Sequence, residues 1–149
     1  MSALNLQTHG RALKAAHQAV LDSQQQCAWA VFGYDRGTPD LKVVSQSTDS
    51  GSDNADDILA EFQDEFSDSK CLFGFVKAQD PNSRLPKIAF VSWCGQGVPV
   101  SNKGMFFGHV NDASRFLRGF HVQIDARHDD DVSPDAILRK LRESSGSQY

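Results

Sequence analysis

Cys94-Gly95-Gln96-Gly97 follows an apolar run and precedes a helical pattern, the place where a phosphate-binding loop would sit. The six-residue glycine fingerprint is missing, no Gly-Lys-Ser/Thr follows at the required spacing, and Lys103-Gly104 has the reverse order. The segment reads as a turn. His128-Asp129-Asp130-Asp131 gathers metal-ligating types, but consecutive carboxylates without an interleaved glycine do not supply the alternating ligands of a calcium loop. Acids leading into a helix N-terminus account for them, so no metal is expected. Cys94 as a nucleophile would need a histidine and an orienting carboxylate. His121 and Asp125 are the available pair, with no local motif behind them, and a cysteine beside an apolar strand is more often a small packed residue. With no convergent acid, base and nucleophile, neither enzyme activity nor a cofactor is expected.

What remains is basic. Lys103, Arg115 and Arg118 fall on one helical segment, Arg139, Lys140 and Arg142 on another, and Lys87 opens an apolar strand near Arg84. By pattern alone these charges read equally as the solvated outer faces of amphipathic helices or as a surface that docks a protein.

The elements that must position them follow from periodicity. Leu13, Ala16 and Val20 predict a helix over residues 8–23. Residues 28–34 and 41–46 read as two strands joined through Asp35-Arg36-Gly37-Thr38-Pro39-Asp40 as a hairpin. Asp53, Asp56 and Asp57 suit the positive end of a second helix, with Ile58, Phe62 and Phe66 along its apolar face. Residues 71–77 and 87–93 are strands around a turn at residues 80–83. The second, with Ile88-Ala89-Phe90-Val91, is apolar without alternation and so expected to be covered on both faces. Phe106, Val110, Ala113 and Leu117 predict a helix over 101–117, stopped by Gly119 at C′. Residues 120–126 alternate strictly as a fifth strand. Ser133 and Pro134 then cap a last helix that turns Ile137, Leu138 and Leu141 inward and ends near Gly146. Hairpins plus one crossover helix imply an α/β fold, a central mixed sheet of about five strands between helices on both faces.

At 149 residues the chain is one domain's length, able to bury about 70% of its unfolded surface. A composition 40% hydrophobic and 23% charged fits neither a disordered nor a membrane-embedded chain. No apolar run approaches the roughly 18 residues of a spanning helix, and the first residues lack a signal-peptide block. Cys27, Cys71 and Cys94 are odd in number, which argues against a secreted disulfide framework and for a reducing compartment, cytosol or nucleus. The net charge of -4 argues against a nucleic-acid binder. It conceals a split: 6 basic and 12 acidic residues up to Ser83, then 9 basic and 7 acidic. Such polarity suits docking onto an acidic partner.

Several segments in order resemble a known family. Lys87-Ile88-Ala89-Phe90-Val91-Ser92-Trp93, then Val98-Pro99-Val100-Ser101-Asn102-Lys103-Gly104, resembles the signature of the actin-depolymerising-factor homology domain. Asp80-Pro81-Asn82-Ser83-Arg84-Leu85-Pro86-Lys87, Gly119-Phe120-His121-Val122-Gln123-Ile124-Asp125-Ala126-Arg127 and Ser145-Gly146-Ser147-Gln148-Tyr149 are similar to its drebrin and drebrin-like class more than to cofilin. The resemblance implies a single such domain over 1–149, monomeric, with actin as partner. It assigns actin contacts to Lys87, Asn102, Lys103, Asn111, Arg115, Arg118, Arg139 and Lys140. Gly104 stands where cofilins carry a hydrophobic residue, Ser101 replaces a basic one, and the N-terminal segment that cofilins use on monomers has no clear match. The implied activity is therefore binding to the sides of filaments, in preference to monomers, by the N-terminal module of a longer cytoskeletal adaptor at the cortical cytoskeleton. Cofilin-like remodelling and phosphoinositide-headgroup binding by the same basic surface are the alternatives.

Overall fold

Phe73, Phe75, Phe90 and Val91 are fully buried, because the strands that carry them lie in the middle of a sheet with helices on either side. A computed structural model describes residues 3–22, 27–47, 54–79 and 85–146. The elements in order are α1 (Gly10–Leu21), β1 (Trp29–Tyr34), β2 (Leu41–Gln46), α2 (Ala55–Gln63), β3 (Cys71–Ala78), β4 (Lys87–Cys94), α3 (Val100–Phe116), β5 (Val122–Ala126) and α4 (Pro134–Gly146). A 3₁₀ turn at Asp129–Val132 precedes α4. The sheet runs β2-β1-β3-β4-β5. All neighbours are antiparallel except β4 and β5, which are parallel because α3 crosses over between them.

Alternation divides the strand residues between two cores. On one face Phe32, Phe73, Phe75, Ile88 and Phe90 meet Leu13 and Val20 of α1 and Phe106 and Ala113 of α3. On the other, Val31, Leu72, Val76, Val91 and Trp93 meet Leu59 and Phe62 of α2 and Ile137 and Leu141 of α4. The mixed five-stranded sheet between helices is thus the architecture that the periodicity implies. The expectation that β4 is covered on both faces also holds, since Ile88 through Cys94 are all buried.

The differences are local. α2 ends at Gln63, so Phe66 reaches the core from the following turn, edge-on to Phe62 at 5.0 Å and against Trp93 at 5.3 Å. Phe120 and His121 precede β5. Phe120 stacks on Phe90 at 5.3 Å, and His121 closes over the start of β4, its amide donating to the Ile88 carbonyl (2.7 Å) and its Nδ1 accepting from the Ile88 amide (3.0 Å). Gly119 does take the left-handed region (φ 103°), but two residues beyond the C-cap Leu117 rather than at C′. The expected turn at 80–83, Arg84, Asp53 and the 147–149 tail lie outside the described residues.

Candidate interaction surface

α3 offers four of the candidate side chains, Asn102, Lys103, Asn111 and Arg115, and its inner stripe is fixed firmly. Phe106 stacks on Phe73 with ring centres 4.7 Å apart, and Ala113 and Leu117 are fully buried. Between them His109, also buried, hydrogen bonds through Nδ1 to the Tyr34 hydroxyl at 2.8 Å. Burial, then the neighbouring Cys71, raises the Tyr34 pKa, so that hydroxyl keeps its proton. Beyond the helix end, the buried His17 of α1 hydrogen bonds to the Arg118 carbonyl at 2.7 Å. Desolvation by burial lowers the His17 pKa, the Arg118 carbonyl opposing it, so the ring is held neutral and donates from Nε2.

With the inner stripe anchored, Asn102, Gly104, Gly108, Asn111 and Arg115 are exposed on the outside and Lys103 is half-buried at the flank of the first turn. The N-terminus of α3 has neither a side-chain cap at Pro99 nor an acidic residue in its first turn. Its partial positive charge therefore adds to that of Lys103 instead of being offset. Arg115 sits in the last turn, where a cation also favours the helix itself.

The remaining candidates lie elsewhere. Arg118 is exposed but past the C-cap, so it does not share the helical segment of Lys103 and Arg115 as expected. Arg139 and Lys140 are exposed on α4, which covers the opposite face of the sheet from α3, and line a groove beside β5 with Asp125, Asp130, Asp131 and Glu143. Lys87, half-buried, opens β4 at the end of the sheet remote from the start of α3. The structure thus brings Asn102, Lys103, Asn111 and Arg115 onto one helix, sets Arg139 and Lys140 on another, and places Lys87 at the end of the sheet toward which α3 runs. Among the described residues the ion pairs are His9–Asp35 (3.1 Å), Lys42–Asp35 (3.6 Å) and Arg127–Asp125 (3.6 Å). Lys103, Arg115, Arg118, Arg139 and Lys140 take part in none of them.

Two apolar groups beside these cations escape pattern reasoning. Val100, at the first position of α3, is 84% exposed, and Phe107 is 39% exposed with the Arg127 guanidinium 5.0 Å over its ring. Both fall off the inner stripe of Phe106, Ala113 and Leu117, and a search for charged candidates passes over them.

The segments weighed for other chemistry find structural employment. The Gly95 amide donates to the Lys70 carbonyl (3.0 Å) and the Gly97 amide to that of Asp68 (2.8 Å), so neither is left to cradle a phosphate. A Cβ on Gly95 would fall 2.2 Å from the Asp68 oxygen, which explains the glycine. Asp131 accepts through Oδ2 from the Arg127 (2.9 Å) and His128 (3.0 Å) amides, capping the 3₁₀ turn. Cys94 lies at the far end of β4 from His121, six residues or roughly 20 Å away at strand rise, which dissolves the Cys94–His121–Asp125 constellation.

His9, Asp35 and Asp40 place ligand atoms within 4.8 Å of one another. Their partners are local. Asp40 Oδ1 accepts from Asn5 Nδ2 (2.8 Å), while the His9 hydrogen bond, ahead of Lys42 and the Arg36 amide, holds the Asp35 carboxyl below its ordinary value. Together with the Asn5 amide on the Pro39 carbonyl (3.0 Å), these contacts fasten the N-terminal segment to the β1–β2 turn.

Comparison with known proteins supplies the context. Drebrin-like protein B of Xenopus laevis is 37% identical over 98% of the chain, which spans 37% of that protein's length. Protein app1 of Schizosaccharomyces pombe is 40% identical over 98% of the chain, which spans 16% of it. The cofilin homology domain of the yeast actin-binding protein ABP1P superposes with a TM-score of 0.77 at 20% identity, covering 91% of this chain and 96% of that one. Human coactosin-like protein follows at 0.75 and 20%, over 89% and 95%. These two show a common fold. Residues 5–142 match the family described as cofilin/tropomyosin-type actin-binding protein, and with nearly the whole domain aligned to drebrin-like relatives this chain is a member of that family.

Proposed function

We propose that the chain is a non-enzymatic actin-binding module that decorates the sides of filaments without severing or depolymerising them. The outer face of α3 docks, with Lys103 and Arg115 as its cations and Asn102 and Asn111 between and beside them. Arg139 and Lys140 make a second contact and Arg118 and Lys87 lie at the margin. The observation that carries this reading is that Lys103 and Arg115 of α3, with Arg139 and Lys140 of α4, form no ion pair among the described residues, next to an uncapped helix N-terminus. Such groups await an acidic partner, and Val100 and Phe107 add apolar area beside them.

Gly104 supports decoration over remodelling, because the outer face there presents backbone where cofilins carry a hydrophobic side chain. The mixed charge of the groove around Arg139 and Lys140 fits a protein surface, which carries both signs, better than a polyphosphate headgroup. In this reading the module is one part of a longer adaptor at the cortical actin cytoskeleton, in line with the fraction of its relatives that it spans.

Co-sedimentation with filaments at low salt, combined with filament length followed over time, tests the proposal. Pelleting with unchanged length is expected. Shortening would replace decoration by severing, and absence of pelleting would reject filament binding. Flotation with phosphoinositide vesicles identifies the lipid alternative if it occurs while pelleting does not.

A further inference from the structure

We propose that Cys71 and Cys94 are a covalent modification site, closing to a reversible disulfide in the folded chain when it meets a peroxide. The two residues are directly opposite in the antiparallel β3–β4 register, with their sulfurs 3.8 Å apart. The bond from the Gly95 amide to the Lys70 carbonyl marks 70 and 95 as a hydrogen-bonded pair. The next pair, 71 and 94, is therefore a non-hydrogen-bonded one, with Cα atoms about 4.5 Å apart and both side chains on the same face. That separation lies within the window of about 4.4–6.8 Å that disulfides occupy. Rotation of the two side chains closes the bond, and no ladder hydrogen bond is broken because this pair carries none.

Access is asymmetric. Cys94 is buried, whereas Cys71 is partly exposed in a cavity of about 410 Å³ lined by Tyr34, Pro39, Ser69, Val98, Asn102 and Met105. A small oxidant reaches Cys71 first. Its thiolate attacks the O–O bond of hydrogen peroxide, an S–O bond forms, and the departing hydroxide leaves as water with the thiol's proton. The Cys94 sulfur then displaces hydroxide from the Cys71 sulfenic acid, the S–S bond forms, and the Cys94 proton leaves in a second water. Two thiols are oxidised and one peroxide is reduced. Burial, followed by the adjacent Cys94 sulfur, pushes the Cys71 thiol up to about 12, with Lys103 pulling the other way. The reaction is consequently slow, a response to sustained oxidant rather than a catalytic turnover. Cys27 lies beyond the opposite end of β3, where Trp29 pairs with Val76, and serves as an internal control.

The experiment treats the folded chain with hydrogen peroxide, alkylates remaining thiols under denaturing conditions, and maps peptides by mass. Two of the three thiols should become inaccessible, a Cys71–Cys94 linked peptide should appear, and dithiothreitol should restore both. The oxidised form should also melt higher, because the cross-link restricts the unfolded chain. Cys27→Ser should behave like the parent, and Cys94→Ser should stop at a Cys71 sulfenic acid captured by dimedone. Three free thiols after treatment, a bridge that includes Cys27, or overoxidised Cys71 in the parent without the bridge would each overturn the proposal. The outcome is independent of whether the chain binds actin.

Discussion

At the scale of single residues the account is most exposed where one side chain holds two elements together. Phe90 is fully buried between Phe73 and Phe120 at 5.9 and 5.3 Å, so Phe90→Ala should lower stability by about 3–5 kcal/mol in denaturant unfolding. An unchanged unfolding midpoint would remove β4 from the core. His17 makes a pH prediction. Its folded pKa lies below 6.5, so the unfolded chain takes up the proton first as pH falls. The stability associated with the neutral ring is complete above pH 6.5 and is lost as pH drops from there toward the folded value. Thermal melts from pH 7.5 to 5 should show that loss, and His17→Gln, which keeps a donor for the Arg118 carbonyl but cannot titrate, should flatten it. Equal slopes for both proteins would contradict the assignment. The basic candidates and the apolar core residues were legible in the sequence because charge and periodicity are local properties. The Tyr34–His109 and His17–Arg118 bonds join residues 75 and 101 positions apart, which no local pattern encodes.

At the scale of elements, α3 is the instructive case. Its inner stripe was readable at Phe106, Ala113 and Leu117, and its expected span of 101–117 agrees to one residue at each end with Val100–Phe116. Pro99 and Leu117 bound the helix without side-chain caps, and the left-handed turn falls late, at Gly119. α2 shows the converse: Asn54 Oδ1 accepts from the Asp56 amide at 2.8 Å and begins the helix sharply, yet Phe66 falls outside it because the buried position is reachable from a turn. Gly104 sits inside α3, and a Cβ added there would meet nothing within 4 Å, so the glycine weakens the helix without relieving any crowding. Gly104→Ala should raise stability by about 0.5–1 kcal/mol. No gain in unfolding midpoint would mean that the glycine has a structural use within the domain.

For the molecule as a whole, an acidic first portion and a basic remainder give a net charge of -4 with cations concentrated on α3, its margin and α4. The mixed sheet was legible because hairpins and one crossover leave few alternatives, but the sequence offered no means of seeing the strand order or that α3 and α4 lie on opposite faces of the sheet. Filament binding by such a surface should weaken with salt as the screening length contracts from about 10 Å at 0.1 M to about 3 Å at 1 M, and salt-independent pelleting would point to an apolar contact instead. The most direct test of the α3 surface is low-salt co-sedimentation of the Lys103→Glu/Arg115→Glu double variant beside the parent, with circular dichroism on both. The new carboxylate near the helix N-terminus helps and the one in the last turn hurts, each by about 0.3–1 kcal/mol, so folding should be nearly unchanged. Against an acidic filament, two attractions become repulsions, and the account predicts a folded protein that stays in the supernatant. A folded double variant that pellets like the parent would contradict it.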